Sequence, residues 1–499
     1  MRKYLVLFHQ AVKNHSVPDI SHAYESHWNR LTEKYYARTE WPDAEAVAPL
    51  VGDDATFLVL YRELWYRHVY SRLSPDGEDR FQSYDNYCDL FNYLLNSDGP
   101  VPLELPVQWL WDMIDEFIYQ FQSYSQWRNK VHNKSEHDLE LLQDGGVWSA
   151  YNVLNVLYSL IQKSRITEQL TASGAGGEPE AVAGAFGTRP LYKTLGYFSL
   201  IGLLRVHVLL GDYTLALQML DHIHLHQKNG FLNRVTACHV TAYYYVGFAY
   251  MMLRRYPDAI RAFSHILVFV MRLRPYHTRS YQYDQFNKMA DRMYALLAMC
   301  CALCPTRLDE NVASAMREKY GEQYAKMAQG DADALHAYQE LFLYACPKFL
   351  TCTPPPYHDA DALKAHAQAP PLDPVQHQLR IFLAEVQTQQ TNVPIRAFLR
   401  LYTALGTDKL ASFLDVDEEE VVEMLMVLKS STRSVKWTAG GLLEGTLVRT
   451  SDLQFAIDGD MVQMAESQIG RRYGEWFVRN ASRMHDVLVA LRRKPLPVP

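Results

Sequence analysis

Thr407-Asp-Lys-Leu-Ala-Ser-Phe-Leu-Asp-Val-Asp-Glu-Glu-Glu-Val-Val-Glu-Met-Leu-Met-Val-Leu428, followed by Leu453-Gln-Phe-Ala-Ile-Asp-Gly-Asp-Met461, decides the fold of the C-terminal third. Just ahead of it, Ile395, Phe398, Leu399 and Tyr402 give a first helix its apolar face. Thr407 is placed to cap a second helix whose inward residues are Leu410, Phe413 and Leu414, and Asp415-Val416 makes the turn. Asp417 with Glu420 resembles a capping box at the start of a third helix carrying Val421, Met424, Leu425 and Leu428 on one face. Leu453, Phe455 and Ile457 then alternate, Asp458-Gly459 offers a type I′ turn, and Met461 to Ala465 returns. Three helices and a hairpin between Val393 and Glu466 outline a winged helix.

A winged helix that reads DNA lays the start of its third helix against bases and phosphates. Here that end carries Asp415, Asp417, Glu418, Glu419 and Glu420. Carboxylates repel the phosphate backbone that supplies most of the affinity of such domains. The expected use of the module is therefore a hairpin edge, Leu453, Phe455, Ile457 and Met461, offered to a neighbouring copy of the same fold. After it, Ile469, Tyr473, Trp476, Met484, Val487 and Leu491 recur at helical spacing, with Arg471, Arg472, Arg479 and Arg483 on the other face. So large an aromatic stripe on a terminal helix suits a bundle with partner helices better than folding back.

Upstream the pattern is helical almost throughout Ile20 to Gly187. In Gln108 to Gln122 one stripe holds Trp109, Met113, Phe117 and Phe121 and another Trp111, Ile114 and Ile118, so this helix is expected to be buried between neighbours. Asp112, Asp115 and Glu116 on it have no nucleophile motif nearby and are expected to face solvent or pair with Arg and Lys. Ala172 to Thr188 has the composition of a flexible loop; its glycines follow no strand and precede no Gly-Lys-Ser/Thr, so no nucleotide site is assigned. Beyond it, Gly211, Tyr213, Ala216 and Leu220 line up with Arg255, Tyr256, Ala259 and Phe263, with Gly247 and Tyr250 ahead of the second set. The spacing exceeds the roughly 34-residue tetratricopeptide period by a loop, and predicts a helical-hairpin solenoid. His222, His224 and His226 alternate, so in a helix they diverge; Cys300, Cys301 and Cys304 lie on an apolar helix with no second pair and read as buried thiols. No metal site is assigned to either group. Prolines between Thr351 and Pro374 mark a linker or surface loop.

The totals agree with a large globular chain: 499 residues, 48% of them apolar, suffice for about three domains. A formal charge of −7 gives no global field towards nucleic acid or anionic membrane. Seven cysteines, two adjacent, suit a reducing compartment. The apolar run after Met1-Arg2-Lys3 stops at His9, short of a signal h-region, and Tyr197 to Leu210 falls short of a bilayer span. A cytoplasmic location is expected. No nucleophile elbow, HExxH, P-loop or dinucleotide fingerprint is present, so no catalytic residue and no cofactor are assigned.

Helical repeats leading into a winged helix and a final helix are the layout of the PCI domain, shared by scaffold subunits of the proteasome lid, the signalosome and translation initiation factor 3. The strings Trp41-Pro42 with Ala44-Glu-Ala46, Phe91-Asn-Tyr-Leu94 with Asp98-Gly-Pro100, Leu103-Glu-Leu-Pro106, Trp109-Leu-Trp-Asp112, Ile114 to Gln122, Tyr243 to Tyr250 and Arg471-Arg-Tyr-Gly474 resemble the L-subunit family of eukaryotic translation initiation factor 3, from about His22 to about Leu491. The resemblance implies a non-enzymatic scaffold of the factor that binds the small ribosomal subunit and helps recruit mRNA. In that family the winged helices of six PCI subunits form an arc and their C-terminal helices a shared bundle, with the L subunit between the E and K subunits. The resemblance places Leu453 to Glu466 at the arc and Ile469 to Leu491 in the bundle, with any RNA contact local or indirect. Relatives often carry a longer polar N-terminal segment, and no role of it is carried over. The expected division is a helical region 1–190, helical hairpins 191–275, a PCI domain 276–469 with its Pro-rich loop 351–374 and winged helix 393–466, and a bundle helix and tail 470–499. The alternative from the same architecture is a subunit of a proteasome-lid or signalosome complex.

Overall fold

Helix Pro190–Leu210 starts with a proline, whose fixed φ suits a first turn, and stops at Gly211, whose φ of 85° takes the left-handed cap. Its residues are apolar on nearly every face, and every face is covered: it packs on helices Val107–Asn129, Ala150–Ser164 and Thr236–Met252. The apolar run that looked too short for a bilayer is part of a helix of 21 residues, which by length and composition could span one. Among the described residues it is the one such helix, and 89% of its apolar window is buried inside the protein, which makes it the core helix.

The computed structural model describes residues 1–132, 134–143, 145–225, 231–273, 283–330, 332–351, 353–390, 392–451, 453–465 and 469–493. These are mainly helical, with five short strands near the C-terminus. Two apolar cores form. The larger runs from Leu5 to Leu442, and the smaller, around Ile395, Leu410, Val421, Leu425 and Val462, belongs to residues 392–465.

Helix Val107–Asn129 is buried as its two stripes require. Its carboxylates do not form a solvent strip: Asp112 and Asp115 pair with arginines on neighbouring helices, and Glu116 accepts from Gln120 at 3.1 Å. Arg67 bonds to Glu63, which is 1% exposed, and to Tyr24, and stands 3.7 Å from Asp112. Trp109 Nε1 donates to Glu63 at 3.0 Å, and Arg205 pairs with Asp115. Burial pushes the Asp112 carboxyl up to about 6, with Arg67 opposing, and Glu116 up to about 7.

The Gly-rich stretch is not a loop. Helices Ile166–Gly174 and Pro179–Gly187 occupy most of it, leaving a turn at 175–178. Alanines favour the helix there, and Gly187 is small for packing: a Cβ on it would stand 2.3 Å from the Ser164 carbonyl oxygen. The Pro-rich stretch is likewise anchored. Tyr357 is buried with its hydroxyl donating to the Arg128 carbonyl, and Asp359 caps helix Ala360–Gln368 by accepting from Asp361 N at 3.0 Å.

Between these lie paired helices, Thr236–Met252 with Tyr256–Leu273 and Tyr283–Leu303 with Glu310–Gln329. Ala216, Leu220, Ala259 and Phe263 are fully buried at the positions the aligned strings gave them. Gly247 is what lets the first pair close up, since a Cβ there would meet the Phe263 ring at 2.5 Å. Cys300, Cys301 and Cys304 are buried free thiols. His222 lies in a turn, against the Thr171 hydroxyl at 3.3 Å, and His224 in the irregular segment after it; His226 lies outside the described residues. Among the described residues no group of three or more His, Cys, Asp or Glu side chains could hold a metal ion.

The smaller core is tied to the larger by a hairpin. Strands β2 (Arg433–Lys436) and β3 (Thr446–Arg449) pair antiparallel, and the connection between them reaches into helix pair Thr236–Met252 and Tyr256–Leu273. Arg255 and Asp258 form a buried ion pair at 2.7 Å. Arg255 donates to the carbonyls of Leu443 at 2.8 Å and Glu444 at 3.1 Å, and Asp258 accepts the Trp437 N–H at 3.0 Å. Tyr250 donates to the Leu442 carbonyl at 2.9 Å, while the Leu442 side chain joins the larger core.

Two outcomes are expected. Arg67→Met leaves Glu63 and Asp112 without their cation and should cost about 3–5 kcal/mol above neutral pH. Arg67 holds the Asp112 carboxyl down against burial, so its removal raises that carboxyl further above about 6, acid favours the folded variant, and the loss should shrink as pH falls towards about 6. Thermal unfolding of the variant across pH reads both effects. Asp258→Ala should cost a similar ~3–5 kcal/mol and speed amide hydrogen exchange across residues 433–449, while Asp258→Asn, which keeps an acceptor, should cost less.

Candidate assembly surface

Residues 392–465 build three helices against a three-stranded sheet of order β1-β5-β4, where β1 is Ala404–Gly406, β4 Gln454–Asp458 and β5 Met461–Ala465. Helix Asn392–Leu399 contributes Ile395 and Leu399, helix Thr407–Leu414 contributes Leu410, and helix Glu418–Ser431 contributes Val421, Leu425 and Leu428, all buried. Phe413 was expected inside but is 39% exposed, stacked on Phe398 at 5.2 Å.

The caps differ from expectation. Thr407 is the first residue of its helix and Gly406 the cap. The Thr407 N–H is taken by the Asp460 carbonyl at 2.9 Å and its hydroxyl by Glu418 and Asp460, so a strand connection far along the chain claims the groups a local cap would use. Asp417 caps the third helix by position without a side-chain hydrogen bond, so no capping box forms. Its acids and those of Glu418 to Glu420, all exposed, act on the helix N-terminus through the dipole.

The hairpin turn is also different. Asp458 pairs with Met461, so the two loop residues are Gly459 and Asp460. Gly459 has φ 57° and Asp460 is not among the positive-φ residues, the pattern of a type II′ rather than a type I′ turn. In the register Phe455 opposes Met464 and Ile457 opposes Val462. Phe455 and Ile457 are half-buried against the module's own core, Leu453 is half-buried, and Met461 is exposed. What β4 offers outward is therefore chiefly its backbone. It is an edge strand, with β5 on one side and no strand on the other among the described residues.

Helix Ile469–Arg493 runs for 25 residues. Trp476 is 59% exposed and Met484 72%, and Val487 and Leu491 are also more than half exposed. Phe477 and Leu488, which sequence reasoning passed over, extend the same stripe and are equally exposed; the i, i+4 step from Met484 to Leu488 was the signal for the latter. The side chains of Ile469, Tyr473, Arg471 and Arg472 lie outside the described residues. A continuous apolar stripe of this size exceeds the scattered apolar exposure of an ordinary surface. The candidate residues thus divide, with the terminal-helix set open to solvent and the hairpin set partly used internally.

Residues 79–484 match the family model described as Paf67, RNA polymerase I-associated factor PAF67. The chain is 71% identical over its whole length to a protein of Mycosarcoma maydis, covering 75% of that protein. It is 48% identical to one of Nematostella vectensis, with 96% of this chain and 90% of the relative aligned, and 47% identical to a human one, with 94% and 82% aligned. All three are named eukaryotic translation initiation factor 3 subunit L. The chain belongs to the L-subunit family of eukaryotic translation initiation factor 3, a family of translation factor subunits and not of enzymes.

Proposed function

We propose that the chain is a non-catalytic scaffold of translation initiation factor 3, cytoplasmic, acting in assembly of the pre-initiation complex on the small ribosomal subunit and in mRNA recruitment. In this proposal residues 191–275 form tetratricopeptide-like hairpins within a helical solenoid, residues 276–469 are a PCI domain, and the module at 393–466 is its winged helix. The β4 edge with Leu453, Phe455, Ile457 and Met461 meets the winged helix of a neighbouring subunit. The stripe of Ile469, Tyr473, Trp476, Met484, Val487 and Leu491 enters a helical bundle. The E and K subunits are the proposed neighbours.

The observation that carries this is the exposed apolar stripe on helix Ile469–Arg493, together with the edge strand β4, in a chain whose relatives are named as subunits. The exposed carboxylates of Glu418 to Glu420 favour protein partners over phosphate for this module. A proteasome-lid or signalosome subunit would use the same architecture, and the relatives' names favour the initiation factor.

Trp476→Glu together with Val487→Glu should leave the helical content of the free chain unchanged and abolish its co-purification with the factor's other subunits. Loss of one buried aromatic anchor alone is worth about 2 kcal/mol, roughly 30-fold in affinity. Arg483→Glu, on the other face, should change little. Wild-type chain should sediment with the small ribosomal subunit; native chain found only as a free monomer, or with proteasome, would overturn the proposal.

A further inference from the structure

We propose that a basic groove on the helical body, separate from the hairpin edge and the terminal helix, binds an acidic segment of a protein partner that also carries large apolar side chains. The groove, about 600 Å³, lies between helix Tyr256–Leu273, the segment leading into helix Glu310–Gln329, and the end of β2. Its floor is apolar, made by Ile260, Val268, Phe269 and Leu308. Its rim carries four cations, Arg261, Arg272, Arg307 and Lys436.

The charge on this rim is unanswered. None of the four cations forms an ion pair among the described residues. Asp309 is the one carboxylate lining the groove, and it is already used, accepting the Asn311 N–H at 3.0 Å to cap its helix. Segment 274–282, which follows directly from helix Tyr256–Leu273, reads Arg-Pro-Tyr-His-Thr-Arg-Ser-Tyr-Gln and has no carboxylate to contribute. In a chain of formal charge −7 such a local excess of cations is not a by-product of composition. The counter-charge comes from another chain.

The floor decides the class of partner. Single-stranded nucleic acid is held by exposed aromatic rings on which bases stack. Here three of the four floor residues are aliphatic, the two rings of the lining, Phe269 and His265, pack on His239 at 4.5 Å and Tyr243 at 5.1 Å, and the nearby Trp437 ring is already covered by the Arg261 guanidinium at 5.0 Å. An aliphatic floor takes leucine or phenylalanine side chains, and the cationic rim takes carboxylates on either side of them. A groove of this volume holds two or three such side chains.

The test uses the full chain and a short fluorescein-labelled peptide alternating acidic residues with leucine and phenylalanine. Saturable binding is expected that weakens with salt, and that falls at least about tenfold in the doubly reversed variant Arg272→Glu, Arg307→Glu. Both arginines are exposed, so the variant should fold, which circular dichroism checks. A peptide with glycine in place of leucine and phenylalanine should bind about tenfold more weakly. The proposal fails if the acidic peptide shows no saturable binding, if the double variant binds it as wild type does, or if oligouridylate binds the groove more tightly than the peptide. Because the readout is peptide binding by the free chain, its failure leaves the scaffold proposal standing.

Discussion

The ion pair of Arg255 and Asp258 is withdrawn from water, with side chains 8% and 2% exposed, and that burial makes it demanding. A buried pair is not stabilising by attraction alone, because removing two charges from solvent offsets most of the Coulomb gain. It becomes favourable when the remaining donors and acceptors are filled, and here the segment between β2 and β3 fills them with two carbonyls and one N–H. Helix pair and hairpin therefore complete each other. A two-stranded hairpin is marginal by itself, and this one gains its fixed position from the arginine it surrounds. Since residues 392–465 have their own core, the clip is what holds that module to the helical body at this point.

With the module held in this way, its open surfaces acquire a definite direction. β4 is an edge strand with no further strand beyond it among the described residues, and the terminal helix presents a stripe that no described part of the chain covers along Trp476 to Leu491. Burying apolar surface is worth about 25 cal/mol per Å², so six large side chains left more than half in water are a considerable unfavourable term for the isolated chain. In the proposed bundle, partner helices remove it. The arrangement also explains why hairpin residues and helix residues differ: Phe455 and Ile457 already stabilise their own core, whereas Trp476 and Met484 have no internal role in the described structure.

Periodicity carried the parts of the fold that depend on near neighbours. The two stripes of the Val107–Asn129 helix, the buried Ala216, Leu220, Ala259 and Phe263, and the inner face of Val421, Leu425 and Leu428 were all legible because burial follows helical spacing directly. The missed features depend on partners distant in the chain. Thr407 is a good local cap residue, but the Asp460 carbonyl 53 residues on takes its hydroxyl. Ala172 to Thr188 has loop composition, but packing against Ser164 and a proline start make it helical. The β2–β3 hairpin was missed altogether: its strands are only four residues each, and what fixes it is Asp258, which no local pattern connects to Trp437. The candidate site was legible as a stripe on the last helix; that the hairpin's aromatic and isoleucine turn inward is a matter of register, which β5 decides.

Charge placement separates the two anion-related features of the chain. At the third helix the carboxylates of Asp417 to Glu420 occupy the positive end of the helix dipole, so that end is already compensated from within and has no residual demand for phosphate. At the groove beside helix Tyr256–Leu273 the situation is the reverse: among the described residues the single lining carboxylate is committed to a helix cap and the four cations form no ion pair. An incoming anion is therefore repelled from the element whose outline suggests a nucleic-acid reader and drawn to a wall of the helical body. The apolar floor there rewards only an anion that brings hydrocarbon with it, which a peptide can do and a phosphate backbone cannot.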